Sequence, residues 1–212
     1  MKDLRDYRKS YEQFELIEDR IPSDPMQLFA AWFDEADAAR AGEANAMTLA
    51  TVSPDGHPSA RIVLLKEFNP NGFVFFTNYA SDKGHDIAQN PNVGLSFFWQ
   101  QQERQVIIRG VAEKIPAADS EAYFATRPFG SQLGAWASHQ SQPIDGREML
   151  EKRLAQLEGE YTGKTVPRPE YWGGYLVRPV SIEFWQGRPN RLHDRIRFTQ
   201  TASGWTSGRL SP

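Results

Sequence analysis

Three arginines and a histidine occupy alternate positions in one short stretch, Arg191, His193, Arg195 and Arg197. A strand starting at Arg191 would put all four on one face, with Leu192, Ile196 and Phe198 on the other and only Asp194 out of pattern. Like charges in a row repel, so the row needs either full solvation or an anionic ligand. A solvated edge strand that resists aggregation has the same pattern; the neighbouring Trp185 favours the ligand. A second set lies in Ser120–Ser131. Tyr123 and Arg127, four apart, share a helix face, and Pro128 ends the helix so that Ser131 folds back toward them. Three donors suited to phosphate then converge, although Tyr123 packed in a core and Arg127 favouring a helix C-terminus fit the spacing too. The third set joins Arg61-Ile62-Val63-Leu64-Leu65-Lys66 to Phe76-Thr77-Asn78 and Ser81-Asp82-Lys83. By parity Arg61 and Lys66 point to opposite faces. Ser81 can cap a short helix carrying Lys83, which suits a phosphate, and snorkelling of long cations explains the same residues blandly.

Other chemistries lack their residues. The chain has no cysteine, which removes thiol catalysis, thiolate metal sites and disulfides. The four histidines, His57, His85, His139 and His193, have no paired spacing, and no carboxylate pair accompanies any of them in a ligand pattern, so no metal is expected. No Gly-x-Ser-x-Gly, Walker-type loop or Gly-x-Gly-x-x-Gly occurs. A net charge of −3 gives no global attraction to nucleic acid or to an anionic membrane. The charged start Met1–Asp6 is unlike a signal peptide, and no run approaches the ~18 apolar residues of a membrane span. A cytoplasmic protein is expected.

The elements that must position these groups are mostly strands. Residues 1–23 read as a mobile arm or short helix, and 24–212 as one domain. A helix starts at Asp24-Pro25, with Leu28, Trp32 and Phe33 on one face, and ends near Gly42. Strands are expected over 46–53, 58–66, 73–78, 93–99, 105–115, 175–186 and 191–201, with helices at about 82–90, 117–126 and 146–160. Met149, Leu150, Leu154 and Leu157 line one side of the last helix, and 129–146 reads as a long loop. Seven or so short antiparallel strands suggest a closed or split barrel, because closure hides sheet edges; a sandwich is the alternative.

In this order the three sets resemble the pyridoxamine 5'-phosphate oxidase family, from Tyr11 to Arg209-Leu210-Ser211-Pro212. The specific block is Glu183-Phe184-Trp185-Gln186-Gly187 followed by Arg191-Leu192-His193-Asp194-Arg195. The resemblance implies a mainly β fold with peripheral helices: an antiparallel, Greek-key-like, FMN-binding split β-barrel. It implies FMN-dependent oxidation of pyridoxamine and pyridoxine 5'-phosphates to pyridoxal 5'-phosphate, with oxygen as acceptor and hydrogen peroxide as product. It also implies a homodimer with FMN at the interface. The FMN site would comprise Arg61, Ile62, Val63, Leu64, Leu65, Lys66, Phe76, Thr77, Lys83 and Gln105, completed by Gln140, Ser141, Trp185 and Arg195. Substrate phosphate would fall to Lys66, Tyr123, Arg127 and Ser131. Arg191 and His193, the catalytic pair, would flank the substrate ring with Leu192 beside them, and Arg8 and Tyr11 would close over it.

One position departs from the family pattern. Asp82 stands where the family usually has a cation, which predicts weaker FMN retention or an Asp82 turned to solvent. Two rival readings remain: a split-barrel flavoprotein reducing another acceptor from a nicotinamide donor, and a non-catalytic carrier of FMN or pyridoxal 5'-phosphate.

Overall fold

The computed structural model describes residues 2–7 and 9–212. Eight antiparallel strands form one sheet: β1 (Ala46–Val52), β2 (Pro58–Asn69), β3 (Gly72–Asn78), β4 (Asn92–Trp99), β5 (Arg104–Lys114), β6 (Trp172–Gln186), β7 (Asp194–Thr201) and β8 (Gly204–Arg209). Their order is β3-β2-β1-β4-β5-β6-β7-β8, and β3 also pairs with β6. The first six strands therefore close a ring, from which β7 and β8 extend. The meander is broken between β3 and β4, where four strands take the spatial order 4-1-2-3 of a Greek key. The fold is a mainly β split barrel, and the sandwich alternative falls.

Alternation turns β1 and β4 into barrel staves. Met47 and Leu49 of β1 and Leu95 and Phe97 of β4 are buried, while the residues between them face out. Helix α1 (Pro25–Ala38) plugs this interior. It starts where expected, with the Asp24 carboxylate accepting from Met26 N at 2.9 Å. Its Phe29 meets Phe68, Phe73 and Phe97 edge-on, with ring centroids 4.9–5.2 Å apart. A smaller core of Phe124, Leu133, Leu157, Val166 and Trp172 seats α3 (Ala117–Thr126), α4 (Phe129–Ala137) and α5 (Arg147–Tyr161) against the sheet. The remaining helix, α2 (Asp82–Gln89), follows β3.

Four expectations are corrected. The stretch 129–146 is not all loop, because α4 occupies its first half; Pro128, which stops α3, also opens α4, with Ser131 N bonded to Pro128 O. On α5, Leu157 is buried but Met149 is exposed, so the apolar side is narrower than its spacing suggests. Strand β7 begins at Asp194 rather than Arg191, because Pro189–Arg191 form a 3-10 turn in which Asn190 and Arg191 have φ of 57° and 61°. Strand β8 carries no alternating apolar residues and escapes a periodicity reading.

The arm lies along the barrel end. A 3-10 turn occupies Glu18–Arg20 and Leu16 is buried. Arg209 of β8 bonds both Glu18 and the Leu16 carbonyl, and also Asp194, whose other carboxylate oxygen accepts from Leu16 N.

Candidate active site

Strands β2 and β3 and helices α2, α3 and α4 surround a cavity of about 680 Å³. Three cations line it, Lys66, Lys83 and Arg127, and no carboxylate does among the described residues. Each reaches it by a different local device. Lys66 is the extra residue of a bulge between Leu65 and Glu67, without a cross-strand partner, and bulges re-aim side chains. Lys83 rides on the first turn of α2 and donates to Ser81 Oγ and Gln140 Oε1, each at 3.0 Å. Arg127 is forced into an extended conformation by Pro128 (ψ 147°), which turns it off the end of α3.

Arg127 lies over the ring of Trp172 at 4.5 Å, and its Nη1 is buried with no hydrogen-bond partner among the described residues. A buried unpaired donor is costly, so this nitrogen awaits an acceptor. Burial also lowers the Arg127 pKa, with the nearby Tyr123 opposing. Tyr123 stacks on Phe76 at 3.9 Å, and Phe76 on Trp172 at 5.4 Å, a near-parallel aromatic wall. Burial lowers the pKa of Lys83 as well, with Arg61 adding repulsion and Asp82 opposing it. Two cations are thus held close together with neutral acceptors, an arrangement an anion would relieve.

The cavity gathers Ile62, Val63, Leu64, Lys66, Phe76, Thr77, Lys83, Tyr123, Arg127, Ser131 and Gln140. It also takes in residues that the spacing arguments passed over, chiefly Trp172, Asn78 and Ser138. Trp172 could have been sought as the aromatic opening the run Trp172-Gly173-Gly174. Arg61 stands beside the cavity, its Nη1 donating to Thr51 Oγ1 at 2.7 Å and to Leu49 O. Leu65 is buried in the barrel core. Ser141 Oγ accepts from Asp82 N at the start of α2. Ser81 does not cap that helix with its side chain, which donates to Asn78 O instead. Asp82 is exposed, yet stands close enough to Lys83 to act on its charge.

A second cavity of about 420 Å³ lies at the arm and is lined by Tyr11, Arg188, Asn190, Arg191 and His193, among others. Arg8 lies outside the described residues. The His193 ring packs 4.5 Å from Trp185 and 6.1 Å from Tyr11. Its Nδ1 accepts from Arg188 N at 3.1 Å, which requires Nδ1 unprotonated and leaves the proton on Nε2. Burial lowers its pKa, Arg191 adds to this, and Asp194 opposes. Arg191 is exposed, and no partner meets its guanidinium among the described residues. Leu192 beside it is 68% exposed.

The expected all-basic face does not exist as a face. Arg191 and His193 precede β7, while Arg195 and Arg197, which do share one side of it, both bond Glu183 across the β6–β7 pair at 2.7–2.8 Å. Burial works against the charge of Glu183, but the two arginines prevail and hold its carboxyl below the usual range. The anion answering these two arginines is internal. Gln105 and Trp185 face each other on the outer side of β5 and β6, with Gln105 bonded to Ser96. One chain therefore holds two separate cavities, with Gln105, Trp185 and Arg195 on the sheet outside the first.

The comparisons agree with this geometry. Residues 33–160 match a family model described as pyridoxamine 5'-phosphate oxidase, and residues 172–212 match the pyridoxine 5'-phosphate oxidase C-terminal dimerisation region. The chain is 58% identical, over 100% of both chains, to a pyridoxine/pyridoxamine 5'-phosphate oxidase of Flavobacterium johnsoniae. It is 57% identical, over 99% of both, to the protein of that name from Bordetella pertussis. Among solved structures, PhzG from Burkholderia lata 383, in complex with tetrahydrophenazine-1-carboxylic acid, superposes with a TM-score of 0.89 at 29% identity, covering 96% of this chain and 100% of that one. A pyridoxamine 5'-phosphate oxidase-related, FMN binding protein from Nostoc punctiforme shares the fold, with a TM-score of 0.69 at 17% identity over 93% and 98% of the two chains. From the ring closed by β3 and β6 to the matches along nearly the whole length, the chain belongs to the pyridoxamine 5'-phosphate oxidase family.

Proposed function

We propose that this protein is an FMN-dependent, cytoplasmic oxidase that converts pyridoxamine and pyridoxine 5'-phosphates to pyridoxal 5'-phosphate as a homodimer. The observation that carries this reading is the acid-free cavity with three cations and an unsatisfied buried Arg127 nitrogen. Such a cavity suits phosphorylated ligands, and its aromatic wall suits flat rings. FMN, when bound, supplies the two-electron acceptor for oxidation at the substrate C4' and passes those electrons to oxygen.

The residues divide the work by position. Lys83, fixed by Ser81 and Gln140, and Arg61, anchored on β1, hold the flavin phosphate, with Thr77 and the backbone of β2 beside it. Lys66, Tyr123, Arg127 and Ser131 hold the substrate phosphate. Arg191 and His193 come from the partner subunit and flank the substrate ring. Three features support that assignment: these residues lie outside the first cavity, they fall in the segment matching a dimerisation region, and the sheet exposes Ile62 and Phe98. Two-fold symmetry then gives two complete sites per dimer. His193, neutral with its proton on Nε2, donates a hydrogen bond to the ring or moves a proton there.

Oxygen uptake with pyridoxine 5'-phosphate and added FMN tests the reading, with hydrogen peroxide and pyridoxal 5'-phosphate formed in step. Flavin reduction by NAD(P)H with no oxidation of the B6 phosphate would replace it with the reductase reading, and phosphate binding without turnover with the carrier reading.

Substitution and pH give further expected outcomes. Lys83→Met should raise the FMN dissociation constant more than about tenfold, since a buried charge-assisted contact contributes ~1.5–3 kcal/mol. Asp82→Asn, at an exposed position, should change it by less than about fivefold; flavin fluorescence quenching reads both. The acid limb of kcat/KM should lie below the ordinary imidazole value, because His193 is held neutral by burial and by Arg191. Activity is then complete above that value and lost as pH falls through the depressed one. His193→Asn should abolish that limb, and a limb that persists assigns it to another group.

A further inference from the structure

Glu103 sits at the turn between β4 and β5 in a left-handed conformation (φ 54°), with its side chain only 3% exposed. Its carboxylate Oε2 accepts from the backbone amides of Glu12 at 2.9 Å and Gln13 at 3.3 Å, and Lys9 Nζ lies 3.5 Å from Oε1. Every donor to this carboxylate among the described residues belongs to the arm. Undocking the arm would remove all of these donors at once, so the carboxylate ties this end of the barrel to the arm.

The backbone of Glu103 makes the complementary contact. Its carbonyl accepts from Gly187 N at 2.8 Å, at the start of the loop that carries Arg191 and His193. Gly187 in turn makes room for Tyr11, since a Cβ there would lie 2.7 Å from the Tyr11 Cβ and Cγ. Tyr11 meets Trp185 edge-on at 5.8 Å and tilts over His193. Farther along, Phe14 covers the neighbouring Arg104 at 4.7 Å, and Arg188 donates to Phe14 O at 3.0 Å.

We propose that Glu103 is a positioning residue for substrate capture: its buried carboxylate grips the arm by two backbone amides and so holds Tyr11 against His193 and Trp185. The grip uses main-chain donors, which makes it indifferent to the side chains at Glu12 and Gln13. It sets the arm's register, because sliding by one residue would carry Tyr11 out of the space left by Gly187. This inference rests on the proposed oxidase reading only for its kinetic consequence.

The test compares Glu103→Ala, Glu103→Gln and Gly187→Ala in the FMN-loaded enzyme by amide hydrogen exchange and steady-state kinetics. Wild-type oxidation of pyridoxine 5'-phosphate is measured first, so that a failed activity is seen separately from a failed arm. Glu103→Ala should speed exchange in the segment 9–16 at least tenfold. It should raise KM for pyridoxine 5'-phosphate about five- to tenfold, with kcat within twofold and FMN affinity unchanged. Glu103→Gln, keeping one acceptor oxygen, should restore most of the protection and most of the KM. Gly187→Ala should reproduce the KM rise by displacing Tyr11 from the other side. Unchanged exchange in Glu103→Ala overturns the grip, and faster exchange with an unchanged KM overturns its role in capture. A joint fall of kcat, FMN affinity and melting temperature would make Glu103 merely structural.

Discussion

Replacing Arg191 with alanine is expected to lower turnover of pyridoxine 5'-phosphate about 100- to 1,000-fold, the loss typical of one preorganised donor at a reacting centre, while FMN stays bound. Arg191 holds a left-handed conformation that a non-glycine residue rarely adopts, directly after a second such residue, Asn190. The turn is maintained by neighbours: Leu192 N bonds Pro189 O, and Arg188 N bonds His193 Nδ1. The strained backbone therefore presents a guanidinium that makes no partner of its own among the described residues. A side chain so placed adds little to the fold, and its removal should leave the melting temperature in place. Arg191→Lys keeps the charge but loses the planar fork, and should recover only part of the rate. The measurement is kcat beside the flavin absorbance retained after gel filtration. Unchanged turnover in Arg191→Ala takes the residue out of catalysis.

Arg127→Met is expected to reduce kcat/KM about 30- to 150-fold, mostly through KM, because charge-assisted hydrogen bonds contribute ~2–3 kcal/mol and each 1.4 kcal/mol is tenfold. Methionine keeps an apolar stem over Trp172 and removes the buried nitrogen that lacks an acceptor. The variant should therefore fold at least as well as the parent. Unphosphorylated pyridoxine separates the explanations, since a phosphate contact predicts equal, poor use of it by both proteins. A loss equally large with pyridoxine would place Arg127 at the ring instead.

How much of this was legible beforehand depends on the kind of physics involved. Tyr123, Arg127 and Ser131 converge as helix spacing and Pro128 dictate, because those are local rules. The strands of the barrel declare themselves through alternation, as in Met47 and Leu49. The row from Arg191 to Arg197 misled, because period two presupposes a strand and Pro189–Arg191 instead form a turn. Arg195 and Arg197 looked like ligand cations, and their counter-ion, Glu183, is reached only through the β6–β7 register. A reading along the chain cannot supply such a cross-strand pairing. Glu103 passed unnoticed for the same reason: its partners at Glu12 and Gln13 are about ninety residues away.

The bond network around Arg209 bears on how the molecule is put together in time. Arg209 joins Glu18 across 191 residues and Asp194 across 15. Chains are made from the N-terminus, and contacts between distant segments close late. Glu18 must therefore wait until Arg209 has been made before it meets its partner, whereas α1 and the first strands can assemble early. The loop bearing Arg191 and His193 is flanked by Asp194, one of the last anchors to be secured. The ring itself waits as well, since β3 closes on β6 and the core takes in Phe184, Ile196 and Phe198, so the packed interior and the loop bearing Arg191 and His193 are completed at the same late stage.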